Sequence, residues 1–352
     1  MSAQAIAVRS AGLVTGVGFN TASACAALRC RLNNFFELGF VDQEHEPLIG
    51  APVPWEDNGP GVEKLSRMAA SAIRQALATD PHVSLAATPL LLCVAEPERL
   101  GRLNDLDSGL WRQLEMQLGQ DRHVDSRMVA EGQTGVANAL AIARDLLLGK
   151  GHEAVIIVAA DTFINRGTIV GNLDAGRLLA SGIRAGFIPG EAAGALLVLR
   201  SDRQRDVELI VFGQGKALES ANCDSDIPLR GDGLTAAITQ ALAEAKVRAD
   251  DVHLCLSDAN GEAYRFEELA LAQTRTRIAT PLWLAAESVG ETGSVVGCLQ
   301  FAWLLQAQKK NYLHGNYTLC LAGNDGGLRT AQIAAFRYSQ AYRATAEASR
   351  SM

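Results

Sequence analysis

The chain runs through one order of elements twice, and each pass contains a helix too apolar to face water. In the first pass the spacing predicts a helix over 64–78 and a strand over 89–94. A long apolar helix over 134–148 follows, closed by Gly149-Lys150, and then strands over 154–159 and 193–199. In the second pass it predicts a helix over 234–245 and a strand over 252–256. An apolar helix over 294–308, closed by Lys309-Lys310, leads to strands over 317–321 and 330–336. Strands over 5–14 and 207–212 open the two passes. Helices alternating with strands, each pass ending in two successive strands, predict an α/β chain with largely parallel sheets.

The two apolar helices carry the argument further. Val136, Ala137, Ala139, Leu140, Ala143, Leu146 and Leu147 occupy more than one face of the first, and Val295, Val296, Leu299, Phe301, Trp303 and Leu304 do so in the second. A helix apolar on most sides must be covered on most sides, since exposed apolar surface costs roughly 25 cal/mol per Å². One such helix per pass predicts a layer trapped between two sheets. Two ordinary core helices in separate domains are the alternative. The passes divide the chain into an N-terminal half, 1–203, a C-terminal half, 204–338, and a tail, 339–352.

Composition narrows the function classes. The chain is 352 residues long, 48% hydrophobic and 20% charged, the balance of a folded domain with a sizeable core. A net charge of -7 without a dense basic run gives nucleic acid no electrostatic footprint. The 7 cysteines show no CxxC spacing, so neither a disulfide framework nor a zinc site is expected, and no metal or cofactor is implied. No basic stretch followed by an apolar run opens the chain, which gives a cytoplasmic expectation. The apolar stretch 140–148 is interrupted by Arg144 and Asp145 and is too short to span a bilayer.

Four segments point to a family. They are Gly186-Phe187-Ile188-Pro189-Gly190-Glu191-Ala192-Ala193-Gly194 with the apolar run after it, Ser10-Ala11-Gly12-Leu13-Val14-Thr15-Gly16-Val17-Gly18, residues 241–252, and Gly323-Asn324-Asp325-Gly326-Gly327. In this order, from residue 5 to about 338, they resemble the β-ketoacyl synthases (3-oxoacyl-[acyl-carrier-protein] synthases) of the thiolase superfamily. The resemblance implies the thiolase-like fold, five layers αβαβα with two pseudo-repeated halves and central buried helices. Residues 97–122 and 161–184 follow the family poorly.

The resemblance also implies a cysteine at the entrance to the first central helix, two histidines and a lysine. The cysteine would accept an acyl group, its thiolate favoured by the helix dipole, and the histidines would act during decarboxylation of a malonyl partner. Here Thr134-Gly135 sets the register, which puts the cysteine position at Gly132; a slip of one residue gives Glu131 or Gln133. The first histidine falls at Asn260 and the second at Glu291. The lysine falls at Ala286, and a gating phenylalanine becomes Asp325. All of the catalytic positions are changed. Some relatives replace the cysteine with glutamine and still decarboxylate, but they keep the histidines. A carboxylate at Glu291 would also repel a malonyl anion.

Other candidates are weaker. Cys298 and Cys255 lie in apolar elements and read as core residues. His253 reads as structural, and His123 and His152, near turns, as solvated. Glu131, Gln133, Thr134 and Asp325 are expected to line one cavity with Asn260 and Glu291. That cavity is either a polar pocket left by lost catalysis or a new site.

Three functions follow from the resemblance. The first is a catalytically inactive binding or scaffold subunit, a homodimer or a heterodimer with a related ketosynthase, as chain-length factors are. It would pair through residues 123–130 and serve an acyl carrier protein, with the glycine at 132 leaving space for a product or lipid tail. The second is an adaptor accompanying a secreted effector in a bacterial secretion cluster. The third is an acyltransferase with a non-standard active site.

Overall fold

The computed structural model describes residues 5–55, 61–202, 205–223 and 225–339. Of the tail expected at 339–352, all but Ser339 lies outside the described residues. The first half runs β1 (Ile6–Thr15), α1 (Thr21–Cys30), β2 (Phe36–Val41), β3 (Pro47–Gly50), α2 (Val62–Leu77), β4 (Leu90–Val94) and α3 (Ser108–Leu118). It continues with β5 (Arg127–Ala130), α4 (Gly135–Leu148), β6 (Ala154–Thr162), α5 (Arg166–Asp174) and β7 (Glu191–Arg200). The second half runs β8 (Val207–Leu218), α6 (Asp232–Ala245), β9 (Val252–Ser257), α7 (Ala263–Thr276) and β10 (Leu282–Leu284). It ends with α8 (Ala286–Val289), α9 (Val296–Lys309), β11 (Tyr317–Gly323) and β12 (Leu328–Tyr338).

Ten strands form one sheet in the order β10-β9-β11-β12-β8-β1-β7-β6-β4-β5. The order β8-β12-β11-β9-β10 repeats β1-β7-β6-β4-β5 strand for strand, so the duplication seen in sequence is a duplication of topology. The two sets meet where Ile6, Ala7 and Val8 pair with Val211, Ile210 and Leu209. The expectation of largely parallel sheets is corrected. Within each set the parallel pairs are two, β4 with β5 and β6 in the first and β9 with β10 and β11 in the second. The remaining neighbours are antiparallel. Residues 324–327 alone join β11 to β12, too short for the crossover that parallel strands need.

The layers follow from which face each element covers. α2 and α3 place Leu65, Met68, Ile73, Leu110 and Leu114 against Leu92, Ile156 and Val158 on the outer face of the first set. α6 and α7 place Ile238, Ala241, Leu269 and Ala272 against Leu319, Leu321 and Ile333 on the outer face of the second. α4 and α9 lie between, and their Val136, Leu140, Leu299 and Phe301 share one core with Val155, Leu196, Leu256 and Cys320. This is the αβαβα arrangement. α9 is buried from Val296 through Leu304 without interruption. α4 is less enclosed than its sequence suggests, because Ala141 and Asp145, one turn apart, face solvent.

Candidate functional site

The same short turn stands at the entrance to both central helices. Residues 132–134 and 293–295 each form a 3-10 turn, and the glycine that opens it is left-handed, at φ 55° for Gly132 and 53° for Gly293. The residues before them match as well, with φ -129° and ψ 18° at Glu131 and φ -118° and ψ 11° at Thr292. A non-glycine residue at such a φ is strained. A sharp strand-to-helix turn of this kind is where acyl-transfer enzymes can expose a nucleophile.

Each glycine also lies under a carboxylate. A Cβ at 132 would collide with Glu96, and one at 293 would collide with Asp161. Space for a product or lipid tail was expected above Gly132; the Glu96 carboxylate fills it. Asp161 is held by Arg99 at 2.7 Å and accepts the Ser294 N–H at 2.9 Å, neutralising the start of the second turn. Glu96 has no such partners from other residues: both its oxygens are buried, and the hydrogen bond that lowers its carboxyl comes from its own backbone N–H. Burial pushes its carboxyl above the usual carboxylate range, against that backbone hydrogen bond and then the Arg99 charge.

Three of the expected residues meet. Glu291, 4% exposed, accepts hydrogen bonds from Asn260 Nδ2 at 2.6 Å and from its own turn, the Gly293 N–H, at 2.7 Å. Gln133 Nε2 stands 3.5 Å from the other side of the same carboxylate. Burial pushes the Glu291 carboxyl up to about 7, against the pull of Asn260 and the Arg265 charge. Asn260 also donates to Glu262 at 3.2 Å. Glu262 pairs with Arg177 at 2.7 Å, and Arg177 pairs with Asp325 at 2.7 Å. Asp325 continues to Arg265 at 3.0 Å, and Arg265 stands 3.6 Å from Asp258. Burial works to raise Asp325, but Arg265 and Arg177 hold it below the usual range.

The other expected residues have different surroundings. Glu131 is half-buried, and its carbonyl accepts from Thr134 Oγ1 at 2.8 Å and from Asn324 Nδ2 at 3.3 Å. The Thr134 hydroxyl is thus engaged within its own turn and fully buried. Ala286 begins α8, half-buried, and supplies no polar group. Cys298 and Cys255 are buried, and desolvation pushes the Cys255 thiol to about 12 and Cys298 higher still. His253 Nδ1 lies 2.7 Å from the Asp251 carbonyl oxygen. His152 and His123 are not simply solvated: His152 bonds Asp125 at 2.9 Å, and its ring packs edge-on against His123, 5.2 Å between centroids.

Sequence reasoning missed Glu96, Arg99, Asp161, Arg177, Glu262 and Arg265. One signal was present for the last: Arg265, Leu269 and Ala272 fall on one face of α7, and a charge on an apolar stripe demands a buried partner. Arg99 and Arg177 come from the two stretches that follow the family poorly, so no motif marked them.

Chemically, the network is a set of carboxylates and amides closed by arginines. It contains no imidazole and no activated hydroxyl or thiol among the described residues. The nearby Cys93 thiol is raised by burial and then by Cys298 and Glu131, the reverse of what a nucleophile needs. Among the described residues no group of three or more His, Cys, Asp and Glu could hold a metal ion. No helix among them is long and apolar enough to cross a membrane.

No family model and no curated protein matches the chain. Solved structures do. A ketosynthase in complex with its chain length factor, ApeO with ApeC from Xenorhabdus doucetiae, superposes with a TM-score of 0.76 at 14% identity, over 95% of this chain and 98% of that one. The ishigamide ketosynthase/chain length factor gives 0.75 at 14% identity, over 94% and 99%. A β-ketoacyl synthase from Burkholderia phymatum gives 0.71 at 15% identity, over 96% and 100%. The fold is therefore the thiolase-like fold.

Proposed function

We propose that the chain is a non-catalytic subunit of ketosynthase form, which pairs with a related ketosynthase as a chain length factor does and gives the assembly a wall rather than a reacting group. One observation carries this reading. At the turn where the resemblance puts the nucleophile stands Gly132, with the Glu96 carboxylate occupying the space a side chain would need. The replacements at the histidine positions, Asn260 and Glu291, are bonded to each other at 2.6 Å rather than held toward a substrate.

Pairing is supported by the sheet. β5 is a terminal strand, bonded to β4 on one side only, and the segment leading into it carries Val124, 91% exposed. An unpaired strand edge beside exposed apolar surface is a template for another chain. Two solved structures of the same fold are a ketosynthase with its chain length factor and AntDE:AntF, an acyl-carrier protein in complex with its ketosynthase.

The test has two arms. Intact-protein mass spectrometry after incubation with acyl- and malonyl-thioesters, on carrier protein and on coenzyme A, should show no adduct and no consumption. Co-expression with the ketosynthase chain encoded nearest to it should give a one-to-one complex on size exclusion. A stable acyl adduct would overturn the non-catalytic reading, and a homodimer that ignores the ketosynthase would overturn the pairing.

A further inference from the structure

Residues 123–126 form the turn that leads into β5 and displays Val124 to solvent. Two bonds to His123 hold it. The Ser126 N–H donates to the His123 carbonyl at 2.9 Å, and the Asp125 N–H donates to His123 Nδ1 at 3.1 Å. The second bond copies an Asx turn, in which a side-chain acceptor takes the N–H two residues on. An asparagine oxygen plays that part at any pH. An imidazole nitrogen plays it only while it carries no proton, since both ring nitrogens of a charged histidine are donors. Ser126 ties the turn to the sheet, its Oγ accepting the Leu90 N–H of β4 at 2.9 Å.

The opposite side of the turn does not share this sensitivity. Asp125 bonds His152 Nε2 at 2.9 Å and also takes Lys150 Nζ, both from the loop after α4. Those two partners hold the Asp125 carboxyl below the usual range, so it stays charged while histidines take up protons. Its bond to His152 needs a donor at Nε2, which a protonated ring also supplies. The His123 ring has no such partner. Its face meets the edge of His152, 5.2 Å between centroids. Arg122, beside it, is bonded to Glu115 of α3 at 2.8 Å, and Arg200, at the end of β7, reaches the Gly151 carbonyl at 3.4 Å. Glu153 and Arg127, on either side, are exposed. Among the described residues no carboxylate is bonded to the His123 ring, so a proton there gains no ion pair. His123, Asp125 and His152 are half-buried, which leaves protons access to them.

We propose that His123 is an acid-sensitive latch on the pairing edge: proton uptake at Nδ1 opens the turn, releases Val124 from its fixed position and weakens docking of the partner ketosynthase along β5. Protonation sets a new N–H against the Asp125 N–H, which turns an attraction into a repulsion, and places a charged ring against His152. The inference rests on the pairing read from β5 and names its regulation.

Two readouts are followed over about pH 5 to 8 at fixed ionic strength. One is the NMR resonance of the Asp125 amide in the full-length chain alone; the other is complex formation with the ketosynthase. The amide should move along the same curve as the His123 ring protons. Affinity for the ketosynthase should fall about tenfold or more toward the acid end. His123→Asn supplies an oxygen acceptor that takes up no proton, and should bring the ratio of affinities at the two ends to about one. His123→Asp is a second acceptor variant should the first fail to fold. His123→Ala, with no acceptor, should pair weakly at both ends. Glu291 titrates in the same range but is present in every variant, so it contributes equally to each. Acid weakening that persists in the acceptor variants would overturn the latch, as would an Asp125 amide that ignores the His123 titration. A wild-type complex equally tight at both ends would refute the latch and leave the pairing standing. No complex at any pH would refute the pairing, and its regulation with it.

Discussion

Gly132 carries two costs that a side chain would have to meet, and they can be separated. Gly132→Ala is expected to destabilise the fold by about 1–3 kcal/mol, chiefly from the left-handed backbone and less from displacing the flexible end of Glu96. Glu96→Ala in the same chain should remove the collision and leave the backbone part, which urea denaturation of the single and double variants would resolve. Glu291 gives a pH signature. Its carboxyl titrates at about 7 when folded against an ordinary 4.5, so the folded chain holds a proton that the unfolded chain has released. The resulting stability is complete below about 4.5 and is lost as pH rises to about 7. Glu291→Gln should therefore gain on the wild type across that window and hold a constant difference above it; a flat difference from pH 4.5 to 8 would refute the assignment.

At the scale of elements, enclosure separates α9 from α4. Phe301 lies fully buried on α9, and Phe301→Ala should cost about 3–5 kcal/mol, measurable as a lowered urea midpoint with unchanged slope. On the edge beside β5, Val124→Lys should leave stability within about 0.5 kcal/mol of the wild type and abolish complex formation on size exclusion. Both central helices were legible in the sequence because apolar residues on more than one face are a local pattern. Strand directions were not, since they depend on sheet order, which only distant segments such as β1 and β7 decide. The candidate site was half legible for the same reason. Asn260 and Glu291 sit in framed motifs, whereas Arg177 follows α5 in a stretch without periodicity and acquires its role only when Glu262 and Asp325 arrive from the other half.

Across the whole molecule, the halves are joined by backbone, core and charge. Ile6–Val8 pair with Leu209–Val211, the central helices share one core, and Gln133 reaches Glu291. A single cooperative transition is expected by circular dichroism and by tryptophan fluorescence, with coincident midpoints. The joint between the halves is directional. Asp161, at the end of β6, supplies the carboxylate that meets the Ser294 N–H at the turn of the opposite half, and Glu96, which overlies the turn of its own half, comes from that same first half. If the chain descends from a doubled ancestor, its copies have become lock and key: a gene carrying two first halves would hold carboxylates for turns it has lost, and one carrying two second halves would hold turns that nothing covers.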